Sequence, residues 1–368
     1  MFEPGLKGIV AAETAISQVD GENGKLLYRG YDIKEILKNA SFEQAAYLLW
    51  HGDFPDERQL KQLDSLLKEN RCIPTYMKEL IQNLPKDIEL MDVLRTVISA
   101  EGTSSYQWKP TIEQAIRLTS ITPTIIAFRK RFIEGKTFIE PDLKLNHVEN
   151  YLYMLNGERP SAAHSRALES YMILTMEHGM NASTFSARVT SSTESDIVSA
   201  ITSAIGTMKG PLHGGAPAGV ITLLNEIYSS GDIEEIIRKK VNAREKLMGF
   251  GHRVYKTYDP RSVALKDELS KFSSADKWLD LSIQVEETAV TVLRELKPGR
   301  SLYSNVEFYA AGIMKAINME QRLFTPTFTA SRMVGWTAHV LEQSKNNVLF
   351  RPESTYIGSI KNSNNVYI

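Results

Sequence analysis

Three of the seven histidines in the chain are flanked by glycine. His213 lies in Gly-Pro-Leu-His-Gly-Gly, His252 in Gly-Phe-Gly-His-Arg, and His178 in Glu-His-Gly-Met-Asn. Glycine adopts backbone conformations that are closed to other residues and lets a ligand approach the main chain closely. One such histidine could equally be an ordinary turn residue. Three of them at predicted helix boundaries favour a site that holds imidazoles at defined positions.

The candidate acidic group is Glu307, in Ser-Asn-Val-Glu-Phe-Tyr. Its sequence neighbours are mostly apolar or aromatic. One interpretation is a carboxylate in the first turn of a helix, where the helix dipole favours it. The other is a general base whose pKa an apolar pocket would raise. This stretch alone leaves both interpretations open.

Other chemistries have weaker support in the sequence. A zinc site would be indicated by His-Glu-x-x-His or by clustered Cys and His, and neither occurs, so no metal is predicted, although ligands distant in sequence are not excluded. The chain has no Gly-x-Ser-x-Gly elbow, Walker loop or dinucleotide fingerprint. A non-catalytic helical scaffold is a further alternative, but it gives no reason for three glycine-flanked histidines.

Composition bounds the class of protein. The chain has 368 residues and a net charge of −1, with no basic stripe to indicate nucleic acid and no basic amphipathic helix to indicate a membrane surface. No apolar run reaches the roughly 18 residues expected of a membrane span. Cys72 is the single cysteine, which fits a reducing compartment. We therefore expect a soluble cytoplasmic protein.

The elements that must position these residues are almost all helical. The start predicts a short antiparallel hairpin, with strands over residues 9–17 and 26–30 joined by Asp-Gly and Asn-Gly turns. Apolar periodicity then predicts helices over residues 42–50, capped by Ser41 with Gln44, and over 91–99, 112–128, 145–155 and 163–176. Pro123 is expected to kink or break the third of these.

The helix leading into the His213 loop is expected to be buried. One of its faces carries Ile197, Ile201, Ala204, Ile205 and Met208. Further helices are predicted from residue 217, over 233–241 capped by Asp232, over 260–269 opened by Asp259-Pro260, over 281–296 and over 331–342. The fold class is therefore all-α with one short N-terminal hairpin.

Taken together and in their order along the chain, the motifs resemble the citrate synthase family. The resemblance includes residues 20–31, Asp-Gly-Glu-Asn-Gly-Lys-Leu-Leu-Tyr-Arg-Gly-Tyr, and residues 331–339, Ser-Arg-Met-Val-Gly-Trp-Thr-Ala-His. It implies a homodimer with a shared active site. It also implies a large helical domain (1–214 and 319–368) and a small helical domain (215–318) with the active-site cleft between them.

The same resemblance implies a mechanism. Glu307 would take a proton from the methyl group of acetyl-CoA, His213 would stabilise the resulting enol, and His252 would polarise the carbonyl of oxaloacetate. Hydrolysis of citryl-CoA would release citrate and CoA, the entry step of the tricarboxylic acid cycle, with no metal and no tightly bound cofactor. The implied oxaloacetate contacts are His178, Arg253, Arg332 and, from the other subunit, Arg351. The implied CoA contacts are Lys256 and Arg261.

Two points stay open at this stage. The family usually has aspartate at the position of Glu307, and a misplacement of about 1 Å can reduce a rate on the order of a hundredfold. A 2-methylcitrate synthase, which uses propionyl-CoA, would keep the same histidines and arginines. The sequence does not choose between the two acyl donors.

Overall fold

The computed structural model describes residues 2–6, 8–214, 218–252, 254–271, 277–299 and 302–359. Within these ranges it is a helical protein with one small sheet. The helices are α1 (Ile33–Asn39), α2 (Phe42–His51), α3 (Glu57–Glu69), α4 (Thr75–Asn83), α5 (Leu90–Ser99), α6 (Ile112–Ile133), α7 (His147–Asn156), α8 (Ala162–Thr175), α9 (Ala182–Ser192), α10 (Ile197–Met208), α11 (Ala218–Ser230), α12 (Ile233–Asn242), α13 (Pro260–Ser270), α14 (Lys277–Leu296), α15 (Val306–Ala316) and α16 (Phe324–Lys345). The all-α prediction is confirmed.

The predicted N-terminal hairpin exists, but its first strand begins later than expected. Strands β1 (Ser17–Asp20), β2 (Lys25–Tyr28) and β3 (Tyr31–Asp32) form an antiparallel sheet in that order, with Asp20 paired to Lys25. Residues 9–14 form no strand. Ile9 and Val10 are 52% and 86% exposed, so apolar composition there does not correspond to a buried strand face.

Local capping rules succeed at several helix starts. Ser41 and Gln44 form the expected capping box at α2. Asp232 accepts from the backbone N–H of Glu235 at the start of α12, and Asp259 caps α13 with Pro260 at its first turn. These bonds satisfy N–H groups that a helix leaves without intrahelical partners.

Pro123 does not break the helix, because α6 continues through it as one 22-residue helix. A proline inside a helix costs about 3 kcal/mol through the lost N–H donor and the clash with the preceding turn. Nearly every residue of α6 from Ala115 to Lys130 is buried, and this packing outweighs the local penalty.

Helix α16 is the central element. Its 22 residues are mostly buried and it packs against α2, α6, α8, α9 and α10. It begins earlier and ends later than the predicted 331–342. The predicted apolar face of α10 is also buried, and α9 and α10 are separate helices divided by residues 193–196.

Helices α11–α15 are the elements that fall within the predicted small domain, residues 215–318. The division into two domains stays a prediction. Over the ranges that the structure describes, no helix is both long enough and apolar enough to cross a membrane.

The close approach of α16 to the end of α8 yields a stability prediction at Gly335. A Cβ placed there would lie 2.4 Å from the carbonyl oxygen of Met176 and 2.6 Å from Oε2 of Glu177. We expect Gly335→Ala to lower the free energy of unfolding by about 1–3 kcal/mol, because the helix must move away from its neighbours. Thermal denaturation checks this. Helix propensity alone gives the opposite sign, a gain of about 1 kcal/mol, so an unchanged or raised melting temperature contradicts the steric argument.

Candidate active site

Two loops joined by backbone hydrogen bonds position His252 and Glu307. The N–H of Gly251 donates to the carbonyl of Tyr303 at 2.8 Å, and the N–H of Asn305 donates to that of Gly249 at 2.9 Å. The Asn305 side chain donates to the Gly251 carbonyl and caps α15 through the N–H of Glu307. Gly249 and Gly251 have φ of 85° and 83°, a conformation that favours glycine. The glycines in front of His252 therefore have a specific structural role.

The backbone fixes the tautomer of His252. Its Nδ1 accepts from the N–H groups of Val254 (3.0 Å) and Tyr255 (3.2 Å), so in the neutral ring the proton is on Nε2. That nitrogen lies 3.4 Å from Nη2 of Arg261, which can only donate. Two donors face the same space, and this arrangement suits an oxygen of a bound substrate.

Arg261 is held by a buried carboxylate. Its Nε and Nη2 donate to Oδ1 and Oδ2 of Asp259 at 3.0 and 2.8 Å, and the two residues are 5% and 1% exposed. Oδ2 also accepts from the N–H of Val306 at 3.2 Å, at the start of α15. Asp259 therefore joins the arginine to the helix that carries Glu307.

His178 lies beside His252. Its Nε2 is 3.0 Å from the Tyr255 hydroxyl, and the two imidazole rings are 5.7 Å apart between centroids. Gly179, which follows His178, has a φ of 60°. Two of the three glycine-flanked histidines are thus direct neighbours.

Ser183 orients His213. Its hydroxyl accepts from the Trp336 indole N–H at 3.0 Å and lies 2.7 Å from Nε2 of His213 and 2.8 Å from Oδ1 of Asn181. The single hydroxyl hydrogen can go to either acceptor. When it goes to His213, the proton of the neutral ring is on Nδ1, which is then the free donor.

Arg332 is buried at the centre, 2% exposed, on α16. Its Nε donates to the Thr175 carbonyl at 2.7 Å, and its guanidinium carbon is 4.9 Å from the centre of the Phe328 ring. Among the described residues that bond is the only hydrogen bond of its side chain, so the Nη groups have donors to offer.

The charge of Arg261, of Arg332 or of both shifts the pKa of each of the four candidate groups. Burial lowers the pKa of His213 to about 4, and the charge of Arg332 adds to this effect. Burial and Arg261 lower the pKa of His252 to about 4, although Asp259 opposes them. Burial, Arg261 and Arg332 hold the pKa of His178 well below its ordinary value. All three imidazoles are therefore neutral near pH 7.

The pKa of Glu307 is raised, whereas the pKa values of the three histidines are lowered. Burial raises the pKa of its carboxyl to about 7, Asp259 adds to the increase, and Arg261 and Arg332 oppose it. A carboxyl with this pKa near neutral pH is suited to general base catalysis. The structure brings Glu307 into the electrostatic environment of the histidines and two arginines.

Of the other predicted site residues, Arg253 lies outside the described ranges, Lys256 and Arg351 are exposed, and Arg261 belongs to the site. Lys256 is exposed and pairs with Glu22. Arg351 is exposed and lines a cavity of about 850 Å³ between the N-terminal segment and the end of α16. Arg261, predicted to contact CoA phosphates, is instead buried beside His252.

Sequence reasoning missed four supporting residues: Glu177, Ser183, Tyr255 and Asp259. Asp259 was identified only as a helix cap, and its second contact, to the start of α15, spans 47 positions. Ser183 and Tyr255 occur close to the motif histidines, so a signal was present. Their partners depend on tertiary packing. No three His, Cys, Asp or Glu side chains in the described ranges are grouped as a metal ion would require.

The fold and site define a helical protein with three neutral imidazoles, one poised carboxyl and two buried arginines in one region. The family model for the C-terminal domain of citrate synthase matches residues 5–353. "Citrate synthase 2" of Bacillus subtilis is 40% identical over 97% of this chain and 96% of its own. The 2-methylcitrate synthase of Shewanella oneidensis is 38% identical over 96% and 94%.

A solved structure agrees with these relatives. It is a ternary complex of carboxymethyl coenzyme A and oxaloacetate with the citrate synthase of Thermoplasma acidophilum. Its sequence is 27% identical to this one. The two structures align with a TM-score of 0.88 over 99% of this chain and 98% of that chain. The chain belongs to the citrate synthase family and is an acyltransferase.

The turn between β1 and β2 contacts the His252 loop. The carbonyl of Gly21 accepts from the N–H of Lys256 at 2.9 Å. A Cβ on Gly21 would lie 2.3 Å from the carbonyl oxygen of Val254, which is backbone and cannot rotate away. The glycine therefore lets the hairpin support the loop that orients His252.

We expect Gly21→Ala to displace this loop and to speed hydrogen exchange at the Lys256 amide by about tenfold or more, because its acceptor moves away. Hydrogen–deuterium exchange of peptides covering residues 254–257 measures this. Glu22→Ala is the matched control, because it removes only an exposed ion pair of the same turn. Equal exchange in the two variants would show that the turn does not support the loop.

Proposed function

We propose that this protein condenses acetyl-CoA with oxaloacetate and hydrolyses the resulting citryl-CoA to citrate and CoA. The observation that carries the proposal is the meeting of three neutral imidazoles and a carboxyl of pKa about 7 with two buried arginines. Enolisation of a thioester needs a base and an oxyanion donor together, and the condensation needs a second donor at the acceptor carbonyl.

Glu307 takes the proton from the methyl group of acetyl-CoA. When the hydroxyl hydrogen of Ser183 goes to its Nε2, His213 donates from Nδ1 to the thioester oxygen and stabilises the enolate. The pKa of about 4 for the protonated ring means that His213 is neutral near pH 7, so it acts on the thioester oxygen as a neutral hydrogen-bond donor.

The enolate carbon then attacks the carbonyl carbon of oxaloacetate. The Nε2–H of His252 donates to that carbonyl oxygen, where negative charge develops as the new carbon–carbon bond forms. The resulting alkoxide takes up one proton, which balances the proton that Glu307 removed. Water hydrolyses the thioester of citryl-CoA, and the thiol of CoA leaves. No metal or resident cofactor takes part in the proposed steps.

The two carboxylates of oxaloacetate need positive partners. The Nη groups of Arg332 are available, and Arg261 has a donor beside Nε2 of His252. Guanidinium groups match carboxylates bidentately. We therefore assign Arg261 to the dicarboxylate and not to CoA, with His178 beside it. Lys256 is left as the candidate CoA contact, Arg253 as a further carboxylate contact, and Arg351 as a contact from the second subunit of a homodimer.

The direct test is thiol release from acetyl-CoA and from propionyl-CoA, each with and without oxaloacetate. We expect release that requires oxaloacetate and is faster with acetyl-CoA, by about tenfold or more, because one methylene in an apolar pocket discriminates by roughly 10–200-fold. Preference for propionyl-CoA would assign the chain to the 2-methylcitrate synthases, as its Shewanella relative suggests. Thiol release at the same rate with and without oxaloacetate contradicts both functions.

The base assignment predicts a pH profile. Glu307 works as the carboxylate, and with its pKa near 7 we expect kcat/KM to fall about tenfold per pH unit below neutrality. Glu307→Ala should lose roughly 10²–10⁴-fold in turnover and lose this acidic limb, whereas Glu307→Asp keeps a carboxylate and should retain more activity. Near-normal turnover in the alanine variant shows that another group is the base.

A further inference from the structure

One face of α16 serves the site at several successive positions. Arg332, Gly335, Trp336 and His339 are spaced by three, one and three residues and therefore share a face. Arg332 offers donors to the substrate, Gly335 allows the close approach of residues 176–177, and Trp336 donates to Ser183, which orients His213. His339 is fully buried, and the proposed reaction gives it no role.

The contacts of His339 fix its tautomer. Its Nδ1 lies 2.9 Å from Nη1 of Arg188, and a guanidinium can only donate, so Nδ1 accepts. The proton of the neutral ring is then on Nε2, which donates to Oε1 of Glu177 at 3.2 Å. His339 therefore accepts a hydrogen bond from Arg188 and donates one to Glu177.

Arg188 makes two further bonds, to Glu342 and Gln343 of α16. Its Nη1 lies 2.8 Å from Oε2 of Glu342, and its Nε donates to Oε1 of Gln343 at 3.0 Å. Arg188 is 4% exposed, so these bonds fix a buried group. The orientation of His339 is thus determined from outside the site.

Glu177 is the carboxylate at the inner end of this chain. Its Oε1 accepts from Ser17 Oγ at 2.9 Å, from the N–H of Gly179 and from His339. Its Oε2 is buried and has no hydrogen-bond partner in the described part of the chain. Burial alone would raise the pKa of Glu177, but His339, Arg332 and Ser17 outweigh it and hold the pKa below its ordinary value.

The charge of Glu177 stabilises the buried charge of Arg332. Burial lowers the pKa of Arg332, and Glu177 is the largest of the opposing influences. Yet the basic side chain within 4.0 Å of Glu177 among the described residues is the imidazole of His339, and not the guanidinium of Arg332. The carboxylate therefore compensates the guanidinium electrostatically while it leaves the Nη donors without a competing acceptor.

We propose that His339 is a positioning residue for oxaloacetate binding: it ties Glu177 through Oε1 so that this carboxylate does not pair directly with Arg332. Without His339, Glu177 gains the freedom to turn towards the guanidinium and occupy the donors that the substrate carboxylate requires. The inference rests on the proposed function, since it concerns the binding of that dicarboxylate.

The test compares His339→Leu with His339→Gln. Glutamine can accept from Arg188 through its oxygen and donate to Glu177 through its nitrogen, whereas leucine can do neither. We expect the leucine variant to weaken oxaloacetate binding about tenfold to a hundredfold, by calorimetry and in KM, with a much smaller change in kcat. The glutamine variant should bind within about threefold of the wild type.

A control separates this effect from general loss of stability. Thr337, on the same helix, accepts from the Trp50 indole and does not contact Glu177. Thr337→Val should lower the melting temperature and leave the affinity for oxaloacetate unchanged. Should the leucine variant not fold, His339→Asn takes its place, because its amide is too short to reach both partners.

The outcomes are distinct for the inference and for the proposed function. Wild-type protein that neither binds oxaloacetate nor releases thiol in its presence overturns both. Wild-type protein that is active, with a folded leucine or asparagine variant of unchanged affinity, overturns the positioning role alone. A glutamine variant that binds oxaloacetate as weakly as the leucine variant also overturns the positioning role. The affinity would then not depend on the two hydrogen bonds of residue 339.

Discussion

The buried guanidinium of Arg332 is the charge around which the centre of the molecule is arranged. Removing a positive group from water costs several kcal/mol unless partners compensate it. Here the Thr175 carbonyl, the Phe328 ring and the nearby carboxylate of Glu177 supply that compensation. None of them occupies the Nη groups among the described residues. Because its charge is compensated while its Nη groups have no protein acceptor, Arg332 can bind an anionic ligand. The same charge helps keep His178 and His213 neutral.

The backbone packs closely around this buried charge and the neighbouring histidines, and this close packing explains where glycine is required. Gly335 lets α16 approach the residues that precede His178, and Gly21 lets the hairpin reach the His252 loop. At both positions the nearest atom is a carbonyl oxygen, which cannot move as a side-chain end can. The positive φ values of Gly249 and Gly251 add a conformational requirement in front of His252. The glycines flanking the motif histidines thus reflect geometry at the site.

Local rules predicted what depends on neighbours in sequence. The capping box at Ser41, the cap at Asp259 and the buried face of α10 were all predictable, because hydrogen bonds and periodicity within a few residues determine them. The continuity of α6 through Pro123 was not, since tertiary packing outweighs the local cost. The site shows the same division. Glycine flanks revealed the histidines, whereas the Ser183–His213 and Glu177–His339 pairs join residues 30 and 162 positions apart.

The pKa of Glu307 can be understood from the same charge balance. Arg261 and Arg332 both favour its carboxylate, while burial and the charge of Asp259 favour the protonated acid. The pKa near 7 is the result of that opposition and does not belong to the carboxyl alone. Asp259 also binds Arg261 and the first N–H of α15, so one carboxylate holds the helix that carries Glu307 and raises the pKa of Glu307. The length of the side chain at position 307 sets how far its carboxyl reaches, whereas the protonation of that carboxyl is governed by the groups around it.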